Sequence, residues 1–226
     1  MLAVSLELAQ NQPGSQPLPH SMAVPVGLVV LLGFLIDGIW RVAQYAGVIA
    51  HEGAHAVAGW STGRKVSGVR LNSNATGATS TAGPDSGAGR AVTAFAGYAG
   101  PSLFGLGTAA LIALGDIELV LWLALIFLAV LLVFIRNFFG VLSVVLSGAL
   151  LFLALHYGSA EVHAVAAYGI SWFLLFFGVR AVFTHRSNAA DAKTLSGLTH
   201  VPAFAWVTLW FVIAVAALWV GGRLLI

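Results

Sequence analysis

The chain has 226 residues, of which 59% are hydrophobic and 8% charged, against about a quarter charged in soluble domains. That balance excludes an ordinary water-soluble domain and makes a bilayer the natural solvent. The formal charge of +2 comes from basic residues scattered between apolar runs, which speaks against a nucleic-acid partner. Cysteine is absent, so disulfides and thiolate metal sites are excluded and any metal must be held by His, Asp or Glu.

Residues 1–22 contain Glu7, Pro13, Pro17 and Pro19 but no Lys or Arg, so they lack the basic start of a signal peptide and read as a flexible tail. Residues 23–226 then form a single transmembrane domain. A helix needs roughly 20 mostly apolar residues to cross the hydrocarbon core, and candidates lie near 23–40, 42–60, 91–114, 117–135, 138–157, 162–183 and 202–222. The count is six or seven, because 23–60 is interrupted only by Asp37, Gly38 and Arg41. That stretch reads either as two helices or as a short entry segment plus one helix. Asp37 and Arg41, four apart, have the spacing of a helix-surface ion pair.

Residues 61–90 are the one long polar stretch, rich in Gly, Ser, Thr and Asn, with a strand-like start over 65–71. They read either as a flexible loop or as a small β-hairpin whose edge can hold an extended peptide by strand addition. Arg64, Lys65, Arg70, Arg90, Arg136, Arg180, Arg186 and Lys193 lie in or flank the loops on one side of the predicted spans, leaving Arg41 and Arg223 for the other. The positive-inside rule assigns the first group to the cytoplasm. The expected fold class is an all-α polytopic membrane protein of the cell membrane, with a short β-hairpin-like cytoplasmic loop.

The chemistry concentrates at His51-Glu52-Gly53-Ala54-His55. On a helix, residues four apart share a face, so two imidazoles can meet one zinc ion while Glu52 lies beside them as general base. Zinc lowers the pKa of a bound water to about 7, and a carboxylate can take its proton as a carbonyl is attacked. With seven His in the chain, about 0.004 chance matches to this spacing are expected. The flanking residues are apolar, and an ionisable group at membrane depth costs roughly 2.5–3.5 kcal/mol on insertion scales, which points to function.

This triplet, the Gly/Ser/Thr-rich region after it, and Ala96-Gly97-Tyr98-Ala99-Gly100-Pro101 in the next span resemble the site-2 protease family, in its compact branch without a PDZ domain. The resemblance runs from about Ala46 to about Trp210. It implies zinc-dependent cleavage of peptide bonds in or near transmembrane segments, with membrane-protein or peptide substrates met within the lipid bilayer. It also implies a third zinc ligand, an aspartate from a later helix.

Topology leaves Asp191, His185 and His200 on the side of His55, while Asp116, Glu118, His156, Glu161 and His163 lie across the bilayer. The run Ala190-Asp191-Ala192-Lys193-Thr194-Leu195 resembles the aspartate-bearing segment of the compact branch, so the resemblance selects Asp191. The Asn-x-x-Pro and Leu-Asp-Gly elements of other branches are absent, and Asp191 also suits the third position of a short helix capped by Asn188.

Asn137 is a candidate contact to substrate backbone or a developing oxyanion, with an amide bridging helices as the alternative. Gly100 and Pro101 are further candidate substrate contacts, Pro101 alternatively serving as a helix kink. His156 and His163 bracket a turn and call for no metal. The reading is an intramembrane zinc metalloendopeptidase; the competing one is a non-catalytic metal-binding membrane protein or metal transporter, which needs the histidines but not Glu52 as base.

Overall fold

A computed structural model describes residues 20–185 and 190–226. Most of the expected tail, 1–22, and the expected cap Asn188 lie outside the described residues. The apolar stretch 23–60 folds as two helices, α1 (His20–Leu35) and α2 (Asp37–Ser61). They meet at an angle of 105° across Ile36, whose backbone is extended (φ −94°, ψ 109°). Arg180 stabilises the elbow from the side: Nη1 donates to the Phe34 carbonyl at 3.0 Å, satisfying an orphan acceptor at the C-terminus of α1, and the guanidinium lies 4.1 Å from the Trp40 ring centroid.

The expected ion pair at the start of α2 does not form. Arg41 Nε donates instead to the Asp37 backbone carbonyl at 3.3 Å, an acceptor of the same residue one helical turn back.

The polar stretch forms an antiparallel hairpin, β1 (Lys65–Leu71) and β2 (Gly77–Ala82), paired from Lys65↔Ala82 to Leu71↔Gly77. An irregularity between Val66 and Gly68 leaves Ser67 unpaired and keeps Val66, Val69 and Leu71 all buried. These side chains pack with Ile49 and Ala56 of α2 and with Leu131, Ile135 and Val144 of the following helices.

Both edges of β1 are occupied. On its outer side the Arg136 N–H donates to the Val69 carbonyl at 2.9 Å. The Asn137 amide then grips Leu71, accepting from its N–H at 3.2 Å and donating to its carbonyl at 2.6 Å. The edge of β2 away from β1 carries no strand among the described residues. Two hydrogen bonds of roughly 0.5–1.5 kcal/mol each hold the Asn137 clamp. Asn137→Ala is therefore expected to lower stability by about 1–3 kcal/mol, read as an earlier thermal transition in detergent.

Helices α3 (Ala88–Ala113), α4 (Ile117–Phe134), α5 (Phe138–Tyr157), α6 (Ala160–His185) and α8 (Ala203–Leu225) are each long and apolar enough to cross a membrane, and the bent pair α1–α2 counts as a sixth span. Among the described residues that makes five spans, or six with the bent pair taken as one, against the six or seven expected. A short helix, α7 (Ala190–Thr199), precedes α8 and buries Ala192 and Leu195.

The central helix is α3, which packs against α2, α6, α7 and α8. Small residues permit this: a Cβ on Gly100 would stand 2.2 Å from the Ala54 Cβ, so only glycine allows α3 and α2 to approach so closely there. Leu35, Val133, Leu150 and Trp219 stay exposed on outer faces, as lipid-facing positions require. At the end opposite the hairpin, His163 contacts Glu118 at 3.4 Å and donates from Nε2 to the Leu155 carbonyl at 3.2 Å.

An apolar cavity of about 1100 Å³ lies among α1 to α6. Ala46, Ile49 and Ala50 of α2 form part of its wall. Its two wall hydroxyls, Thr108 and Ser147, are hydrogen-bonded to backbone carbonyls of their own helices.

Candidate metal centre and active site

Helical spacing puts His51, Glu52 and His55 on the face of α2 opposite that cavity wall. Two glycines fix the rotation of the helix, because bulky rings occupy the space their side chains would need: Phe177 lies against Gly47 and Phe127 against Gly53.

His55 is buried, and its Nδ1 lies 2.7 Å from the Thr93 carbonyl. A carbonyl only accepts, so Nδ1 carries the proton and Nε2 is left with a free lone pair. That Nε2 lies 3.2 Å from His51 Nε2, and Asp191 Oδ2 lies 3.5 Å from His51 Nε2 and 3.3 Å from His55 Nε2. A tetrahedron with metal–ligand bonds of about 2.0–2.1 Å has edges of about 3.3–3.4 Å. The three observed separations fit that shape. Among the described residues this is the one group of His, Asp and Glu able to hold a metal ion.

The His51 ring is backed by Tyr98 in a T-shaped contact at 4.8 Å; Tyr98 in turn lies 4.7 Å from Trp210, whose Nε1 donates to the Phe95 carbonyl at 3.0 Å. Glu52 is buried, with Oε2 accepting from the Thr79 hydroxyl at 2.7 Å. The hydroxyl also lies 3.0 Å from the Glu52 backbone carbonyl. Glu52 rests on Gly77, where a Cβ would come within 2.5 Å of its side chain.

These groups line a pocket of about 710 Å³, one wall of which is the continuous run Ala75 to Thr81. His51, Glu52, His55 and Asp191 therefore meet, as the residues expected to act together. The other candidates stand elsewhere. Asn137 is committed to Leu71, Gly100 is pressed on Ala54, and Pro101 is fully buried; none lines the pocket. His200 terminates α7 at a positive φ of 61° and is exposed, and the side chain of His185 lies outside the described residues.

Four residues at the site were given no site role by the sequence reading: Thr79 and Gly77 under Glu52, Tyr98 behind His51, and Gly97. A Cβ on Gly97 would lie 2.4 Å from His55 Nε2 and 2.7 Å from His51 Nε2, so this glycine keeps the space between the ligand atoms open. Its place one residue before Tyr98 on a small-residue stretch of α3 was the available signal.

Comparison with known proteins gives one finding. The model of the Peptidase M50B-like family matches residues 24–221, nearly the whole chain. No curated protein and no solved structure matches. Membrane-length helices, a hairpin in place of any inserted domain between α2 and α3, and a His–His–Asp cluster beside a buried glutamate agree with that match. The chain is an integral membrane protein that belongs to the Peptidase M50B-like family of site-2-protease-like metallopeptidases.

Proposed function

We propose that the protein is a zinc-dependent endopeptidase that cleaves peptide bonds in or near transmembrane segments of membrane proteins, with His51, His55 and Asp191 holding the ion and Glu52 as general base. One observation carries the reading: three ligand atoms at tetrahedral separations sit beside a buried carboxylate, in a pocket walled by an unpaired strand edge.

A zinc ion there supplies Lewis acidity toward a peptide carbonyl and acidifies water to a pKa of about 7. The protein's own groups do the rest. His55 is held in the correct tautomer by Thr93, and His51 is held in place by Tyr98. Glu52, oriented by Thr79, accepts a proton from the attacking water and returns it to the leaving amine. The free edge of β2 offers backbone groups to a peptide in extended form, so a helical substrate must unwind locally before its bond reaches Glu52. The concentration of Arg64, Lys65, Arg70, Arg90 and Arg136 around the hairpin supports a pocket opening toward the cytoplasmic face of the cell membrane.

The test is metal dependence. Protein purified in detergent and reconstituted into vesicles is expected to carry a single zinc per chain and to cleave a membrane-anchored reporter peptide. Chelation should abolish cleavage and added zinc should restore it. Cleavage that survives complete metal removal, or zinc movement across the vesicle without cleavage, overturns the reading.

A further inference from the structure

Arg64 is left over from the chemistry above. It lies three residues past the end of α2 and is 7% exposed, yet it takes part in none of the ion pairs among the described residues. Arginine is rarely so buried without a paired charge, because an uncompensated buried charge is costly. Its partners are neutral: Nε donates to the Thr81 hydroxyl at 3.2 Å and Nη1 to the Pro84 carbonyl at 2.7 Å. A guanidinium has five N–H donors, so three remain, and Nη2 has no partner among the described residues. Arg64 also lines the pocket.

Its neighbour Arg90 differs, being matched by Asp85 at 3.0 Å. The pocket therefore has two ends of opposite character, with Glu52 and Asp191 at one and the unmatched Arg64 at the other. The unpaired edge of β2 connects them. Thr79 touches Glu52 and Thr81 touches Arg64, which sets the two contacts about 7 Å apart at about 3.4 Å per residue of strand.

We infer that Arg64 forms an acid-recognition subsite, selecting peptide substrates with an aspartate or glutamate side chain two to four residues from the scissile bond. The inference rests on the peptidase reading and on an extended peptide lying along β2. The carboxylate takes up the remaining N–H donors of Arg64 and supplies the counter-charge that no described residue provides. A lipid phosphate could meet the same donors, but the tie from Arg64 to Thr81 sets the guanidinium in line with the strand edge, which favours the peptide.

The experiment uses the full chain, zinc-loaded, in neutral phosphatidylcholine vesicles and in vesicles containing anionic phosphatidylglycerol. Reporter peptides of one sequence carry Asp, Asn or Lys singly at each of four positions on either side of the scissile bond. The readout is the ratio of kcat/KM for Asp over Asn within each enzyme, which cancels losses from misfolding. Wild type is expected to prefer Asp by about 10- to 100-fold at one or two neighbouring positions, mainly through KM. Arg64→Gln should bring the ratio near one, Arg64→Lys should retain much of it, and Arg64→Glu should shift the preference to Lys.

A wild-type ratio near one at every position overturns the subsite. So does a preference that survives Arg64→Gln, or that follows vesicle charge rather than peptide charge. Equal cleavage of all peptides leaves the peptidase reading standing. Failure of wild type to cleave any peptide overturns that reading and the subsite together.

Discussion

Glu52→Gln is expected to retain its metal and to lose about 10²–10⁴-fold in kcat, the range that a positioned general base contributes. The substitution is nearly isosteric, and the side chain is buried between Thr79 and Gly77, so little room exists for rearrangement. The glutamine carbonyl oxygen still accepts from the Thr79 hydroxyl; what disappears is the capacity to take a proton. Because the three ligand atoms belong to other residues, zinc content should match wild type. KM should change little, which marks the loss of an interaction made in the transition state. The check is kcat for the reporter peptide beside metal analysis of the same sample. A variant within tenfold of wild type removes Glu52 as the base and leaves the histidines a role in metal binding without hydrolysis.

The second large effect has the opposite signature. Gly97→Ala is expected to lose metal and activity together while the protein remains folded. An added Cβ would intrude 2.4 Å from His55 Nε2 and 2.7 Å from His51 Nε2. Both contacts are with the far ends of side chains, which can swing aside without disturbing the backbone. Swinging aside separates the nitrogens from Asp191 Oδ2 and breaks the tetrahedral spacing. Thermal unfolding in detergent should resemble that of wild type stripped of metal, zinc content should fall to background, and cleavage should drop at least about 10³-fold, as expected when a metal that generates the nucleophile is lost. Full zinc content in this variant would show that the ligand cluster lies elsewhere.

What could be read from the sequence follows from how local each signal was. His51, Glu52 and His55 lie within one helical turn, so their spacing alone brings them to one face. Asp191 is far along the chain; it was reached through loop topology and family resemblance, and the structure sets it 3.3 Å from His55. The apolar runs marked the helices, and the interruption at Asp37, Gly38 and Arg41 signalled a break in 23–60, but the expected boundary near 40–42 fell a few residues beyond the elbow at Ile36. Asp37 and Arg41 had ion-pair spacing, yet spacing does not say that the guanidinium will choose a carbonyl. β1 announced itself by Val66, Val69 and Leu71. β2 did not, because its inward residues meet Glu52 rather than an apolar core, and its sequence Gly77-Ala78-Thr79-Ser80-Thr81-Ala82 carries no hydrophobic alternation. Gly97 was read as part of a small-residue stretch and not as a site residue for a similar reason: its role is defined by the helix that crosses it.

The two cavities share α2 as a partition, and this makes the chemistry depend on angle as well as position. Ala46, Ile49 and Ala50 face the apolar cavity, whereas Val48, His51, Glu52 and His55 face the polar pocket. Each residue of an α-helix advances the direction of its side chains by about 100°. One residue inserted between the elbow and Gly47 would leave the composition of α2 almost unchanged. With the elbow held by Arg180, it would swing the His51 bearing toward the hydrocarbon side and set Phe177 against Ala46 or the inserted residue in place of glycine. The phase of this one helix, keyed by two aromatic rings in two glycine notches, keeps the hydrolytic face and the lipid-like face from exchanging places.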